Sequence, residues 1–260
     1  MRYSRILTVV AAVCVGAGVL AAQSASPTPP KPKGKKESDA VRAMYAAQTP
    51  DDQIAQAKAF IDKFADSDFR GSAFYVMAAA SDLKRDPDNV VVYGEQAIAA
   101  DPMNFGSMAL MSKAIAQSTK KFDLDKADKL ARADKLAKDA LELSKKAPKP
   151  NSELTDEQWA SAVKDLAEPA YEGLAFECLA KEDYAGCADN FKLAVASMSQ
   201  LEPALLIRGG HCSLLAKKYD EAIAAFDQAI NSPNSVQVIK DVAAKEKAAA
   251  VQLKAKSVAK

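Results

Sequence analysis

The amino-acid sequence predicts an all-α protein. Glycine is scarce, with 10 in 260 residues, and no segment sustains the apolar–polar alternation of a β-strand. Alanine, the strongest helix former, is abundant, whereas aromatic residues make up only 7% of the chain. Two segments also repeat the same pattern of aromatic and small residues at helical spacing. We therefore expect helices that approach one another closely through small residues.

The two repeated segments lie 35 residues apart. Their corresponding residues are Tyr184 and Tyr219, Cys187 and Ala222, Phe191 and Phe226, and Ala194 and Ala229. In each segment the spacing is three, four and three residues, which places all four side chains on one helix face. A unit of this length is typical of one helical hairpin, which cannot bury its apolar face alone and must stack on another.

Composition excludes several classes of function. Lys and Arg number 35 against 34 Asp and Glu, which argues against a nucleic-acid-binding protein that works through bulk charge. The single histidine, His211, excludes a metal site built from several histidines. The sequence contains no catalytic Ser-His-Asp pattern, phosphate-binding glycine loop or zinc-ligand spacing. We therefore predict no catalytic residue, no metal, no cofactor and no enzymatic activity.

The N-terminal residues 1–25 have the form of an export signal. Arg2 and Arg5 precede an uncharged run over residues 6–22, and small residues follow it. The run is shorter than the roughly 20 residues of a membrane-spanning helix, which favours a cleaved signal over an uncleaved anchor. Residues 26–37 are rich in Pro and Lys and are predicted to be a disordered linker, either a plain spacer or a strip that touches anionic lipid or cell wall. The predicted location is the bacterial periplasm or the exterior, with anchoring in the inner membrane as the alternative.

The helical repeat domain is predicted to cover residues 38–260. Thr49 before Pro50 suits a helix start, and Thr155 with Gln158 suits a capping box. The predicted hairpins span about 38–65, 70–100, 103–147, 169–199 and 203–231. An additional inserted helix is predicted at 155–167, ended or kinked by Pro169, and a C-terminal capping helix at 235–258. Leu124 is expected in the buried stripe of the third hairpin.

Family resemblance rests on the fourth and fifth hairpins. The matching residues are Tyr171, Leu174, Ala175, Tyr184, Cys187, Phe191 and Ala194 in the fourth, and Leu206, Gly209, Gly210, Tyr219, Ala222, Phe226, Ala229 and Pro233 in the fifth. With this pattern the chain resembles the tetratricopeptide repeat family. The resemblance implies a right-handed α-solenoid of antiparallel helix pairs. It also implies that Ala175 and Gly210 lie where helices cross closely and that the rings of Phe191 and Phe226 are buried.

The same resemblance implies a binding groove on the concave side of the stack. Its lining would be Tyr75, Ala79, Lys113, Glu172, Phe176, Leu179, Ile207, His211 and Leu214. Such a mixed, partly apolar surface suits a protein or peptide partner, so a non-catalytic scaffold in the cell envelope is the predicted function. A membrane-anchored assembly factor is the alternative, and a small-molecule binder or an accessory subunit of an enzyme is the third possibility. No nucleic-acid partner is expected, and membrane contact is expected only through an uncleaved N-terminal segment.

The cysteines predict a disulfide. Cys178 and Cys187 flank the turn near residues 182–183 at similar distances, so that they would face each other in an antiparallel hairpin. An oxidising compartment would allow a bridge if their Cα atoms lie within about 7 Å. A different pairing that involves Cys212, or free buried thiols, remain the alternatives.

Overall fold

The structure is a computed structural model that describes residues 30–149 and 154–258. In these ranges it contains eleven α-helices and no strand, which confirms the all-α class. None of the described helices combines the length and hydrophobicity needed to cross a lipid bilayer. The predicted export signal, residues 1–25, lies outside the described residues. The helices are α1 Lys35–Ala46, α2 Pro50–Lys63, α3 Arg70–Leu83, α4 Pro87–Ala100, α5 Phe105–Ser118, α6 Lys126–Ser144, α7 Asp156–Ala180, α8 Tyr184–Ser197, α9 Pro203–Leu215, α10 Tyr219–Asn231 and α11 Gln237–Val258.

Side-chain caps start many of these helices. The hydroxyl of Thr49 accepts the backbone N–H of Asp52 at 3.1 Å, with Pro50 at the first helical position. Thr155 and Gln158 form the reciprocal capping box at the start of α7. Both predicted caps are therefore confirmed. Each satisfies N–H groups that have no partner inside the helix.

Consecutive helices pack against each other in chain order from α1 to α11. In addition, α3 touches α1 and α5, α5 touches α7, and α9 touches α11. These contacts place α1, α3, α5 and α7 side by side in that order, and α9 beside α11. Apolar clusters fill the spaces between neighbouring helices, and their largest fully buried rings are Phe60, Phe69, Phe105, Phe191 and Phe226.

Three hairpin turns share one backbone geometry. Arg85, Glu182 and Lys217 each adopt a left-handed conformation, with φ of 58°, 64° and 61°, two residues after the end of α3, α7 and α9. In each turn the next N–H donates to a carbonyl five residues earlier, at 3.0, 2.9 and 2.8 Å respectively. This is the bond that ends many helices through a left-handed residue, usually a glycine. The α3–α4, α7–α8 and α9–α10 hairpins are therefore closed by the same local structure.

The predicted inserted helix 155–167 is not a separate element. It is the first half of the 25-residue α7, which continues through Pro169. Proline lacks the N–H for one helical hydrogen bond, but Trp159 and Leu166 before it and Ala170 after it are buried in one apolar cluster. Because both halves cover the same core, their burial offsets the lost bond and holds the helix together.

Part of the predicted disordered linker is also ordered. Helix α1 begins at Lys35, within the range predicted as linker. Glu37 is buried and accepts the backbone N–H of Lys33, while the ammonium of Lys33 donates to the carbonyl of Asp66 at 2.5 Å. The prediction was wrong for residues 33–37 because proline and lysine content reveals nothing about contacts with a distant loop.

Candidate functional site

The predicted groove residues do not form one open surface. They lie on α3, α5, α7 and α9, but Tyr75, Ala79, Lys113 and Glu172 are buried. Phe176, Leu179, Ile207 and Leu214 are half-buried in the apolar clusters around Phe191 and Phe226. His211 is exposed, and its Nδ1 lies 3.5 Å from the carboxylate of Glu246 on α11. The structure thus brings Lys113 and Glu172 together in the interior and leaves His211 apart from them.

Lys113 and Glu172 belong to a charged network that crosses four odd-numbered helices. The ammonium of Lys113 on α5 lies 2.8 Å from the carboxylate of Asp82 on α3 and 3.5 Å from Glu172 on α7. The other oxygen of Glu172 accepts from the guanidinium of Arg208 on α9 at 3.1 Å. The four charges alternate in sign along the helices. Each buried charge therefore has an opposite charge beside it, as burial requires.

The degree of burial changes along this network. The side chain of Glu172 is 1% exposed and that of Lys113 is 11%, whereas that of Arg208 is 41%. The guanidinium of Arg208 also lies over the ring of Phe176, 5.4 Å from its centroid, and Phe176 meets Phe191 edge-on at 5.4 Å. Arg208 therefore joins the buried charges to solvent and to the aromatic core.

A cleft of about 510 Å³ opens beside the network. Asp82 and Arg85 border it from the end of α3 and the turn that follows. Lys113 and Gln117 border it from α5, and Arg208 from α9. The cleft is lined by both donors and acceptors, so it can bind a polar chain or molecule that presents both. In this respect it is more charged than the partly apolar groove predicted from the sequence.

Small residues position the two central charges. A Cβ added to Gly173 would lie 2.1 Å from the Oγ of Ser112 and 2.9 Å from the backbone nitrogen of Lys113. Only a glycine allows the backbones of α5 and α7 to come this close. Lys113 directly follows Ser112 on α5, and Glu172 directly precedes Gly173 on α7. The close approach of the helices is therefore what places the ammonium near the carboxylate.

The structure corrects the predicted disulfide. Cys187 on α8 is bonded to Cys212 on α9, with Cα atoms 5.8 Å apart, and both residues are buried. Cys178 is a free thiol that accepts from the amide of Asn190 at 3.7 Å. The Cys178–Cys187 pairing was wrong because α8 packs against both α7 and α9, and Cys187 faces α9. Symmetry about a turn cannot reveal which neighbour a side chain faces.

The environment of Cys178 keeps its thiol protonated. Burial is the main cause, and the negative charges of Glu177 and Asp183 add to it, raising the pKa of Cys178 to about 11. A thiol is a nucleophile only as its thiolate. At neutral pH Cys178 is therefore a protonated, half-buried thiol.

Asp82 and Arg208 are the two residues of the network that the sequence analysis did not single out. The sequence does contain a signal for these two residues. Asp82 precedes Lys113 by 31 residues and Arg208 follows Glu172 by 36, and both separations are near the repeat length. The separation of 59 positions between Lys113 and Glu172, which spans the long α6 and the first half of α7, conceals the alternation of sign.

Comparison with known proteins adds no family to this geometry. No protein-family model and no curated protein matches the chain. Within residues 30–149 and 154–258, no group of three or more His, Cys, Asp or Glu side chains is placed to hold a metal ion. The fold and the charged cleft are therefore the observations from which a function is inferred.

Proposed function

We propose that this chain is a tetratricopeptide-like repeat protein that binds a protein or peptide partner and has no catalytic activity of its own. The architecture we propose is a right-handed solenoid of helical hairpins. It is supported by the common turn after α3, α7 and α9 and by the contacts between odd-numbered helices. The 35-residue offset between the fourth and fifth hairpins agrees with this arrangement.

One observation carries the functional proposal. Side chains from four odd-numbered helices meet in an alternating charge network beside a cleft of about 510 Å³. The exposed Arg85 and the half-buried Arg208 line this cleft together with the buried Glu172 and Lys113. A peptide segment offers both carbonyl acceptors and N–H donors, which match these groups. Because the network is already in place, such a segment would bind with little reorganisation of the protein.

The proposed location is the bacterial periplasm. The proposal rests on the N-terminal sequence, with its two arginines, uncharged run and small residues. Fractionation of the native host, followed by mass determination, tests it. Soluble protein that lacks about the first 25 residues supports the periplasm, whereas full-length protein in the membrane supports the anchored alternative.

Site-specific photo-crosslinking in cells tests the binding proposal. A photoreactive amino acid replaces Gln117, which is exposed and borders the cleft, or Gln96, which is exposed on α4. We expect a discrete light-dependent adduct from position 117 and none from position 96. Arg85→Glu should weaken the adduct without unfolding the protein, because Glu182 already occupies the corresponding left-handed turn position. Arg42→Glu on the exposed face of α1 is the matched control.

Two results would contradict peptide binding at the cleft. One is the same set of adducts at positions 117 and 96, which would indicate random collisions. The other is an adduct at position 117 that Arg85→Glu leaves unchanged.

A small polar molecule is the second candidate ligand, because about 510 Å³ lies within the usual range for small-molecule sites. Native mass spectrometry of the purified protein separates the two. A fixed added mass, lost in an Arg208→Ala variant, would favour the small molecule over a peptide.

A further inference from the structure

The loop between α5 and α6 presents two apolar side chains to solvent. Phe122 is 87% exposed and Leu124 is 106% exposed, the two highest values among the large apolar side chains of the described residues. Leu124 was predicted to join a buried helical stripe. It does not, because α6 begins only at Lys126 and Leu124 lies in the turn before it. The chain therefore places an aromatic and an aliphatic side chain, two residues apart, on one protruding turn.

The turn is held in shape by its own polar groups. The carboxylate of Asp123 accepts the backbone N–H of Lys120 and the ammonium of Lys129, both at 3.1 Å. Lys129 also lies 2.9 Å from Asp125. These contacts hold the pKa of Asp123 below its usual range, chiefly through the Lys120 N–H and then through Lys129. The ammonium of Lys126 donates to the carbonyl of Ala180 at 2.6 Å and fastens the turn to the end of α7.

The exposed side chains of the turn are mainly apolar and basic, because Phe122 and Leu124 are exposed together with Lys120 and Lys121. Both carboxylates of the turn, Asp123 and Asp125, face Lys129. Lys120 is exposed beside Phe122. Lys121 lies 3.8 Å from Glu182, but both are well exposed, so this pair holds the lysine only weakly. Lys120 and Lys121 thus place two positive charges immediately before Phe122.

We propose that this turn, residues 119–125, inserts Phe122 and Leu124 into the surface of an anionic lipid bilayer. An aromatic side chain such as Phe122 buries roughly 150–250 Å², and Leu124 is smaller, so the pair stays well below the approximately 800 Å² per partner of a specific protein interface. A second copy of the chain or a protein partner therefore gains too little from this turn alone. A bilayer needs only that an apolar tip enters its interface while lysines meet anionic headgroups. The inference is independent of the partner proposed for the cleft.

The test measures the environment of residue 122 directly. Membrane binding through the N-terminal segment of the full chain is then not mistaken for insertion of the turn. A solvent-sensitive fluorescent amino acid with an aromatic side chain replaces Phe122, or Val92 on α4 as the exposed control. Vesicles contain phosphatidylglycerol mixed with phosphatidylcholine, or phosphatidylcholine alone. We expect a blue shift and protection from an aqueous quencher at position 122 with the anionic vesicles, and neither at position 92.

Two sets of variants identify the groups responsible. Leu124→Ser should reduce the shift at position 122. Lys120→Glu with Lys121→Glu should raise the concentration of anionic vesicles needed for half of that shift at least about tenfold, since each lysine near an anionic surface adds to the attraction. Because all three side chains are exposed, thermal unfolding should be unchanged in these variants.

The inference is overturned by any of three results. Position 122 shows no shift with either vesicle, or position 92 shifts as much as position 122. Alternatively, the shift at position 122 appears without vesicles and grows with protein concentration, which would identify a second copy as the occupant.

Discussion

Gly173 lies against Ser112 so closely that a Cβ on the glycine would fall 2.1 Å from the serine Oγ. The hydroxyl of Ser112 in turn donates to the carbonyl of Ala133 at 2.8 Å. This contact therefore joins α7 to α5 and α5 to α6. Lys113 is the neighbour of Ser112 in the chain, and Glu172 is the neighbour of Gly173. The contact therefore also sets the distance between the Lys113 ammonium and the Glu172 carboxylate.

Gly173→Ala is expected to destabilise the protein by about 1–3 kcal/mol, since an added methyl group forces two backbones apart. Urea unfolding measures the loss. Gly34→Ala is the matched control, because nothing lies within 4 Å of the position that its Cβ would take. Equal stability of both variants with the wild type would mean that α5 and α7 are not in backbone contact.

Lys113→Met is expected to cost about 3–5 kcal/mol of unfolding free energy at neutral pH, because it leaves the Asp82 and Glu172 carboxylates without their shared cation. The same change at Lys138, which is 67% exposed in its pair with Asp134, should leave the free energy of unfolding nearly unchanged. Chemical denaturation of both variants gives the comparison. Similar costs would show that the Lys113 network is open to water.

Reduction of the Cys187–Cys212 bond should lower the free energy of unfolding by about 3 kcal/mol, as expected for a loop closed over a separation of 25 residues. Thermal unfolding with and without reductant measures this loss, and a Cys212→Ser variant should be insensitive to reductant. Peptide mapping without reductant should recover Cys187 linked to Cys212. A Cys178–Cys187 peptide would contradict the structure.

Cys178 should react slowly with iodoacetamide in the folded protein. At pH 8 a pKa of about 11 leaves the thiolate roughly 100-fold rarer than at the ordinary value, and the greater nucleophilicity of a more basic thiolate recovers about tenfold of this. We therefore expect alkylation of the Cys178 peptide to be about tenfold slower than in urea. Because burial raises the pKa of Cys178 in the folded state, the contribution of this thiol to stability should be constant below its unfolded pKa and fall as the pH rises towards 11. Equal alkylation rates in folded and unfolded protein would contradict the burial of this thiol.

Lys217→Gly should stabilise the protein by about 0.5–1 kcal/mol, since glycine adopts the left-handed conformation at φ 61° without the cost of a side chain. Ala216→Gly, one residue earlier in helical backbone, should instead destabilise it by a similar amount. Thermal unfolding of the two variants gives opposite shifts if the α9–α10 turn is as described. Shifts in the same direction would refute it.

Local patterns in the sequence predicted most of the helices because their causes are local. The oxygen of Thr49 needs only the N–H three residues further on, and the same is true of Thr155. The spacing of Phe191 and Phe226 likewise identifies two helices and the face that each presents. The groove was predicted less well, because a shared face does not reveal whether Lys113 is open to solvent or covered by the next helix.

By itself, the sequence determined the helical class and two of the helix caps, both of which depend on neighbours within a few residues. Only the tertiary structure decided that Cys187 bonds Cys212, that α7 continues through Pro169, and that Leu124 lies in solvent. It also decided that the side chains of α3, α5, α7 and α9 meet in one charged network. Each of these outcomes depends on which of two or more competing surfaces a side chain faces, and helix packing over long separations settles that choice.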